Sequence, residues 1–444
     1  MKISTAQFIC FWVVISMFVL TSTAYPSGGK IPKNEKITPS IPELARVEPQ
    51  VTAETPTLAD DPAYQQYIDF FEEVFQTMED NYYQPPNRQV YDRFIEQFNT
   101  KIYSQLKASN KSEDFVRWRS AALMIEALKT DEDIFSAFYP PEPAKEYEET
   151  VLGVGVDLGL EGTQTEQGFQ ITMIEPRCDA YQKGLRLNDV IVSINEENIT
   201  ALEQAQVEEL LKPMQDTKTL IAFLEAQTQE RKEITVETIS FFKQMVFPMT
   251  IKVPYIYGLE IRRFNRKTAE DIFRFLQFFR EQGPMKGLVI DLRGNPGGPP
   301  LAAREIASFF LPAGEDFAFF QKKGQPKALL DVPEIPQQYK YDGPIVILVD
   351  KKSGSASELF SGVLQRRRRA VLMGENSAGQ VMLKSMFHFD DDSMVLLITS
   401  RGFHPDGMPF SFNGLTPDRR YDDIKEEDIV DYATKYLVYI NAKK

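Results

Sequence analysis

The sequence predicts a multidomain chain of α+β and α/β character, in which a helical N-terminal region precedes a small β domain and an α/β domain. Three observations carry this. Apolar residues recur every three or four positions from Tyr64 to Lys129, the period shortens to that of strands between Glu149 and about Ile239, and beyond Tyr257 strands alternate with helices. At 444 residues the chain has room for two or three domains of about 100 to 200 residues each, and 43% hydrophobic content is that of a globular protein.

Residues 1–24 read as a signal peptide: Lys2 supplies a minimal positive start, Phe8 to Leu20 is an apolar run short for a membrane span, and Ser22-Thr23-Ala24 offers small residues for cleavage. An uncleaved anchor is the alternative. The expected destination is the periplasm or the exterior, with no stable membrane span after cleavage. Cys10 falls in this segment, so Cys178 is alone in the mature chain and no intrachain disulfide can form. Residues 25–62, rich in Pro, Thr, Lys and Glu, cannot bury enough apolar area to offset ordering entropy and read as a disordered linker.

A helical domain is expected over 63–148. Ile68, Phe71, Phe75, Met78 and Tyr82 line one face of a helix that Pro85-Pro86 ends. A second helix is expected from about Gln89 to Leu106 through Phe94, Ile95, Phe98 and Ile102, and a third from Glu113 to about Lys129. Such aromatic stripes are core. The β domain is expected over 149–240, opening on a strand from Val151 to Leu158 in which Gly153 and Gly155 admit a close neighbour.

The α/β domain is expected over 241–444. Strands at Tyr257–Ile261 and Gly287–Arg293 flank a helix from Thr268 to Gln282, and Gly294-Asn295-Pro296-Gly297-Gly298 leads to a helix from about Leu301. A glycine-rich turn between strand and helix presents backbone N–H groups to an anion, either a phosphate or an oxyanion. No Gly-Lys-Ser/Thr follows, which argues against a nucleotide loop. A third buried strand, Ile345–Val349, runs into Ser353-Gly354-Ser355-Ala356-Ser357-Glu358 and a helix through Leu359, Phe360, Val363 and Leu364. Two readings of Ser355 stand side by side: a nucleophile at a helix N-terminus, or the cap of a Ser-x-x-Glu capping box. The run Arg366 to Arg369 reads as a solvated face of that helix.

A net charge of −14 argues against a nucleic-acid partner. No His, Cys or Asp cluster has zinc spacing, so no metal or other cofactor is implied. His388 alternates with aromatics as a strand residue, and His404 falls in a turn at the expected rim of the site; each is a weak candidate base.

Gly184-Leu185-Arg186-Leu187-Asn188-Asp189 and the strand Val190–Asn195 resemble the signature turn and strand of a PDZ domain. That resemblance implies that Leu152, Gly153, Val154, Gly155 and Val156 offer N–H groups to the terminal carboxylate of a peptide added as a strand. The chain departs from the usual Gly-x-Pro-Ala, carrying Arg177-Cys178-Asp179-Ala180 instead. Asp291-Leu292-Arg293-Gly294-Asn295-Pro296-Gly297-Gly298, Gly354-Ser355-Ala356-Ser357-Glu358, Gly374-Glu375 and Gly414-Leu415-Thr416-Pro417-Asp418 resemble, in order, the motifs of the C-terminal processing peptidases, or tail-specific proteases. The resemblance covers about residues 64 to 440 and implies a crotonase-like α/β peptidase domain acting on proteins or peptides with free C-terminal tails.

It implies further that Ser355 is the nucleophile, that a lysine held by a glutamine is the base, and that the oxyanion donors are the N–H of Ala356 and one from Gly297-Gly298. Here the chain departs again. Gly-Lys-Gly-x-x-x-Gln is replaced by Gly379-Gln380-Val381-Met382-Leu383-Lys384, so Gln380 holds the lysine place and Lys384 the glutamine place. One account is a swap, with Lys384 as base and Gln380 as its partner. The other is loss of the base, which leaves a peptide-binding pseudoprotease or scaffold. An extended segment would separate the two positions by roughly 13 Å.

Overall fold

A computed structural model describes residues 64–443 apart from 214, 422–423 and 426–427, so the expected signal peptide and linker lie outside the described residues. The described chain forms two compact units, one of residues 64–81 and 85–138, the other of 82–84 and 139–443.

The first unit is helical. Helix α1 (Tyr64–Asn81) buries Tyr67, Phe70, Phe71, Val74, Phe75 and Met78; of the expected stripe Phe71, Phe75 and Met78 are buried in it, Ile68 is half-buried and Tyr82 falls past its end. Helix α2 (Arg88–Gln97) begins at Asn87, whose side chain accepts the Gln89 N–H at 2.8 Å. The expected single helix to Leu106 is instead broken by a π-helical turn, Phe98–Ile102, before α3 (Tyr103–Ala108). The reason lies in the spacing: the extra residue of the π turn puts Phe98 and Tyr103, five apart, on the same buried side, which a regular α-helix would not do. Helix α4 (Glu113–Leu128) starts at Ser112, whose hydroxyl accepts the Phe115 N–H at 3.2 Å. The aromatic rings interlock edge to face, Phe71 and Phe98 lying 4.9 Å apart at 83°.

The second unit opens with helix α5 (Pro141–Leu152), which corrects the expected strand from Val151. Gly153, at φ +63°, is the left-handed residue that ends this helix, so it caps rather than lies within a strand. Only Val154–Val156 is extended (β1). The five strands β2 (Leu160–Thr165), β3 (Gly168–Ile174), β4 (Val190–Ile194), β5 (Lys218–Leu224) and β6 (Arg231–Glu237) form one antiparallel sheet in that order, with helix α6 (Gln204–Leu210) between β4 and β5 in the chain. Phe169, Ile171, Ile191, Ile221 and Phe223 are its core, and Cys178 is buried beside them. Strand β7 (Ser240–Phe242) returns to pair with β1.

Beyond it, β8 (Val246–Met249) joins antiparallel to β9 (Ile256–Ile261), and β9, β10 (Gly287–Asp291), β13 (Ile345–Val349) and β14 (Ala370–Gly374) run parallel in that order. Helices α7 (Thr268–Glu281), α8 (Pro300–Ala307) and α9 (Ala356–Arg366) bury one face of this sheet. The C-terminal helix α10 (Ile429–Asn441) covers the other through Ile429, Ala433 and Leu437. Burial on both sides explains why β10 and β13 read as unbroken apolar runs. A further antiparallel sheet contains β11 (Asp316–Gln321), β12 (Ala328–Asp331), β15 (Met382–His388) and β16 (Met394–Phe403).

The arginine run is not a solvated helix face. Helix α9 stops at Arg366, Arg368 turns at φ +55°, and Arg369 donates to the carbonyls of Phe310, Gly343 and Tyr341. The run ends the helix because these guanidinium groups satisfy carbonyls of neighbouring loops. Between the PDZ-like sheet and the parallel-sheet domain, Arg177 pairs with the buried Asp271 at 2.5 Å, and Glu175 accepts the Gln244 N–H at 2.9 Å.

Candidate active site

Strands β10 and β13 are parallel neighbours, with Asp291 beside Leu348, so the turns that follow them emerge side by side. They are laced together. Gly354 N–H and Ser357 Oγ both donate to Asn295 O at 3.0 Å, Ser353 Oγ donates to Leu292 O at 2.8 Å, and Asp350 accepts the Gly294 N–H at 3.0 Å. Asn295 is fully buried and anchors the glycine turn, donating to Ile261 O and accepting the Gly297 N–H at 2.8 Å.

Ser355 stands where β13 has ended and α9 begins. Its backbone lies at φ +56°, ψ −114°, whereas a helix-capping serine normally adopts the extended region. A non-glycine residue held there costs about 1–3 kcal/mol. The residue is 2% exposed, and among the described residues its Oγ has no hydrogen-bond partner. The Ser-x-x-Glu capping box is present in this turn; its glutamate half is a full hydrogen bond, Ser355 N–H donating to Glu358 Oε2 at 2.9 Å, and its serine half is looser. The box and the unusual backbone of Ser355 occur together.

Gly297 touches it. A Cβ on Gly297, at φ +108°, would fall 2.7 Å from Ser355 Cβ and 2.9 Å from the Ala356 nitrogen. Because the Gly297 N–H is already given to Asn295, the amide this turn can offer an oxyanion is that of Gly298. Gly298, at φ +147°, is pressed against the Phe264 carbonyl, 2.0 Å from where a Cβ would sit. The Ala356 nitrogen, first of α9, lies 2.9 Å from where a Cβ on Gly297 would be.

Glu358 does more than the Ser-x-x-Glu pattern signals. It is 1% exposed and accepts four hydrogen bonds: from Ser355 N–H at 2.9 Å, Ser377 Oγ at 2.6 Å, Gly379 N–H at 2.7 Å and Gln380 N–H at 2.8 Å. Burial pushes its carboxyl above the usual range, while the four donors pull the other way. The segment around Gln380 is thereby fastened to the serine turn, a long-range link that spacing alone could not have shown.

The Gln380 carboxamide reaches the same place: its Oε1 is 3.7 Å from where a Cβ on Gly354 would be. Lys384 lies in β15, opposite Ile398 and next to an irregularity in the ladder at Leu383/Lys384. It is 1% exposed, so its side chain is turned inward rather than to solvent, and it makes no hydrogen bond to Ser355 Oγ. His388 is exposed and faces Glu148 at 3.7 Å. His404 is stacked on Phe410 at 3.6 Å and lies against Gly362, seven residues along α9 from Ser355; burial pushes its imidazole down to about 4. Neither the ring's packing nor its place suits a base for Ser355. In the PDZ-like loop, Leu152 ends α5, and Val154, Gly155 and Val156 pair with Phe242, Phe241 and Ser240.

Residues 256–421 match peptidase family S41, and residues 145–222 match the PDZ domain family. The carboxy-terminal processing protease CtpA of Bacillus subtilis is 25% identical over 355 residues, spanning 78% of this chain and 71% of that protein. A probable CtpA-like serine protease of Staphylococcus aureus is 26% identical over 321 residues, spanning 72% of this chain and 63% of that protein. The chain therefore spans slightly less than two thirds of the length of the staphylococcal relative. The photosystem II D1 C-terminal processing protease superposes at a TM-score of 0.47 with 20% identity, over 80% of this chain and 93% of that one, too loosely to bear on residue roles.

Proposed function

Because residues 256–421 match peptidase family S41 and residues 145–222, ahead of them, match the PDZ domain family, we propose that this chain is an exported serine endopeptidase that captures protein C-terminal tails and hydrolyses a peptide bond with Ser355. The observation that supports this best is the strained, buried Ser355, which sits beside Gly297 at the start of α9.

In this reading Ser355 Oγ attacks the scissile carbonyl as Lys384 Nζ takes its proton. The carbonyl oxygen becomes an oxyanion between the N–H groups of Ala356 and Gly298, and the proton passes to the leaving amine. Water then releases the acyl group by the same steps reversed. Gln380, fastened through Glu358, orients the amine. Each oxyanion donor contributes about 10²–10³ in rate.

Incubation with an unfolded polypeptide tests the proposal. Wild type should cleave it, and Ser355→Ala should not; equal cleavage by both sinks the reading. Lys384→Ala should lose activity as completely as Ser355→Ala, and retention of activity would remove the swapped base. The non-catalytic alternative draws on the carboxamide of Gln380 beside Gly354, and it is favoured if wild type binds tails but cleaves nothing.

A further inference from the structure

The PDZ sheet ends in an open edge. Strand β2 pairs with β3 on one side only, and it is the last strand in the sheet. An incoming peptide added as a strand would bond to the outward backbone groups of β2. Two of those groups are already taken. Gln164 N–H donates to Gln204 Oε1 at 2.7 Å, and Gln204 Nε2 donates to Gly162 O at 3.0 Å.

One carboxamide thus engages both the outward acceptor of residue 162 and the outward donor of residue 164, groups that the backbone of an added strand would bond. Its orientation is dictated by its neighbours. Nε2 faces two acceptors, Gly162 O and Glu208 Oε1 at 2.5 Å, and Oε1 faces one donor, so the reverse placement would oppose like groups. Helix α6 is fastened at its other end as well, where Leu158 N–H reaches Leu211 O at 3.5 Å. The Gln164 side chain also donates to Ile199 O at 2.7 Å, holding the same stretch of edge.

We propose that Gln204 is a built-in competitor for the peptide-binding edge: its side chain holds two backbone groups that a tail's backbone would bond, and a tail binds only by displacing it. This rests on the tail-capture reading above and adds the residue that sets its threshold. The ligand class is an extended polypeptide end with a free carboxylate. A tail that offers only backbone hydrogen bonds gains nothing over the resident amide, since it replaces two hydrogen bonds with two. A tail must therefore bury apolar area or place its carboxylate to win, which makes Gln204 a filter against arbitrary extended segments. Gln204 is half-buried on the first turn of α6, and its replacement leaves the apolar core of the sheet untouched.

The test uses the full chain carrying Ser355→Ala, so that nothing is cleaved. A labelled decapeptide ending in two valines with a free carboxylate, and its C-terminal amide twin, are titrated by fluorescence anisotropy into this protein with and without Gln204→Ala. Removal of Gln204 should tighten the acid peptide by about tenfold, as two net hydrogen bonds no longer have to be broken first. Hydrogen–deuterium exchange supplies a readout that does not need the peptide's affinity: residues 160–165 should exchange faster in Gln204→Ala and become protected again on adding the acid peptide. Equal affinity of the two proteins for the acid peptide, or unchanged exchange at 160–165, overturns the inference about Gln204 and leaves tail capture standing. An acid peptide that binds no better than its amide twin overturns tail capture itself, and the inference falls with it.

Discussion

Two turns of the molecule invite comparison, the one after β10 and the one after β13. Both carry a buried parallel strand into a helix, they lie side by side, and each bends through left-handed backbone. The first does so with glycines, Gly294 at φ +73°, Gly297 at +108° and Gly298 at +147°. The second does so with a serine, at +56°. Glycine suffices where the turn has only amides to offer. A serine in the same kind of conformation means that a side chain is needed there, and that the rest of the fold offsets its strain. Where that compensation resides is visible: Asn295, Asp350 and Glu358 hold the two turns from three sides.

The comparison can be broken at the glycine turn, with the largest effect. Gly298→Ala would drive a Cβ to 2.0 Å from the Phe264 carbonyl, a backbone atom that cannot step aside. A loss of at least about 3 kcal/mol in unfolding free energy is expected by chemical denaturation, together with a fall of about 100-fold or more in kcat. Next is Glu358→Ala, which strands four donors around a buried void. A loss of about 3 kcal/mol is expected, and Glu358→Gln should lose less, since its carbonyl oxygen still accepts.

A smaller effect is expected from His404. Its depressed pKa, about 4 against an ordinary 6.5, means that the folded state favours the neutral ring. Its stabilisation is therefore complete above about pH 6.5 and is lost as pH falls toward 4. Comparing denaturation midpoints at pH 7 and pH 5, wild type should lose stability that His404→Phe keeps, with roughly 2–3 kcal/mol as the limit on full protonation. The smallest effect sharpens the contrast between the turns. Ser355→Gly should raise stability by about 1 kcal/mol while abolishing cleavage, because the strain is relieved together with the nucleophile. A stability loss in that variant would mean that the serine is there for the fold.

Much of this was legible in the letters, and the failures have causes. The stripe of α1 was plain because six buried residues recur at helical spacing. The π turn at Phe98–Ile102 was not, because an inserted residue leaves the composition unchanged and alters only the phase. Val151 and Leu152 passed for a strand because a glycine that caps a helix and a glycine within a strand look alike in sequence. Ser355, Gly297 and Gly298 could be named from strand–turn–helix order. Glu358 could be seen only as half of a local cap, since three of its four donors lie about twenty residues further on. The competitor on β2 was equally hidden, since Gln164 and Gln204 are forty residues apart.

The Arg177–Asp271 pair bears on how the second unit melts. Asp271 keeps 2% of its side-chain exposure, and Arg177 is held against it from the sheet that β2 closes. Were that sheet to come apart alone, a carboxylate buried in the parallel-sheet domain would lose its nearer counter-ion, keeping only Arg274 at 4.0 Å, while still shut away from water. A half-melted form is therefore disfavoured, and heating should register in a calorimeter as one endotherm for both sheets, splitting in two when Arg177→Met and Asp271→Leu are combined.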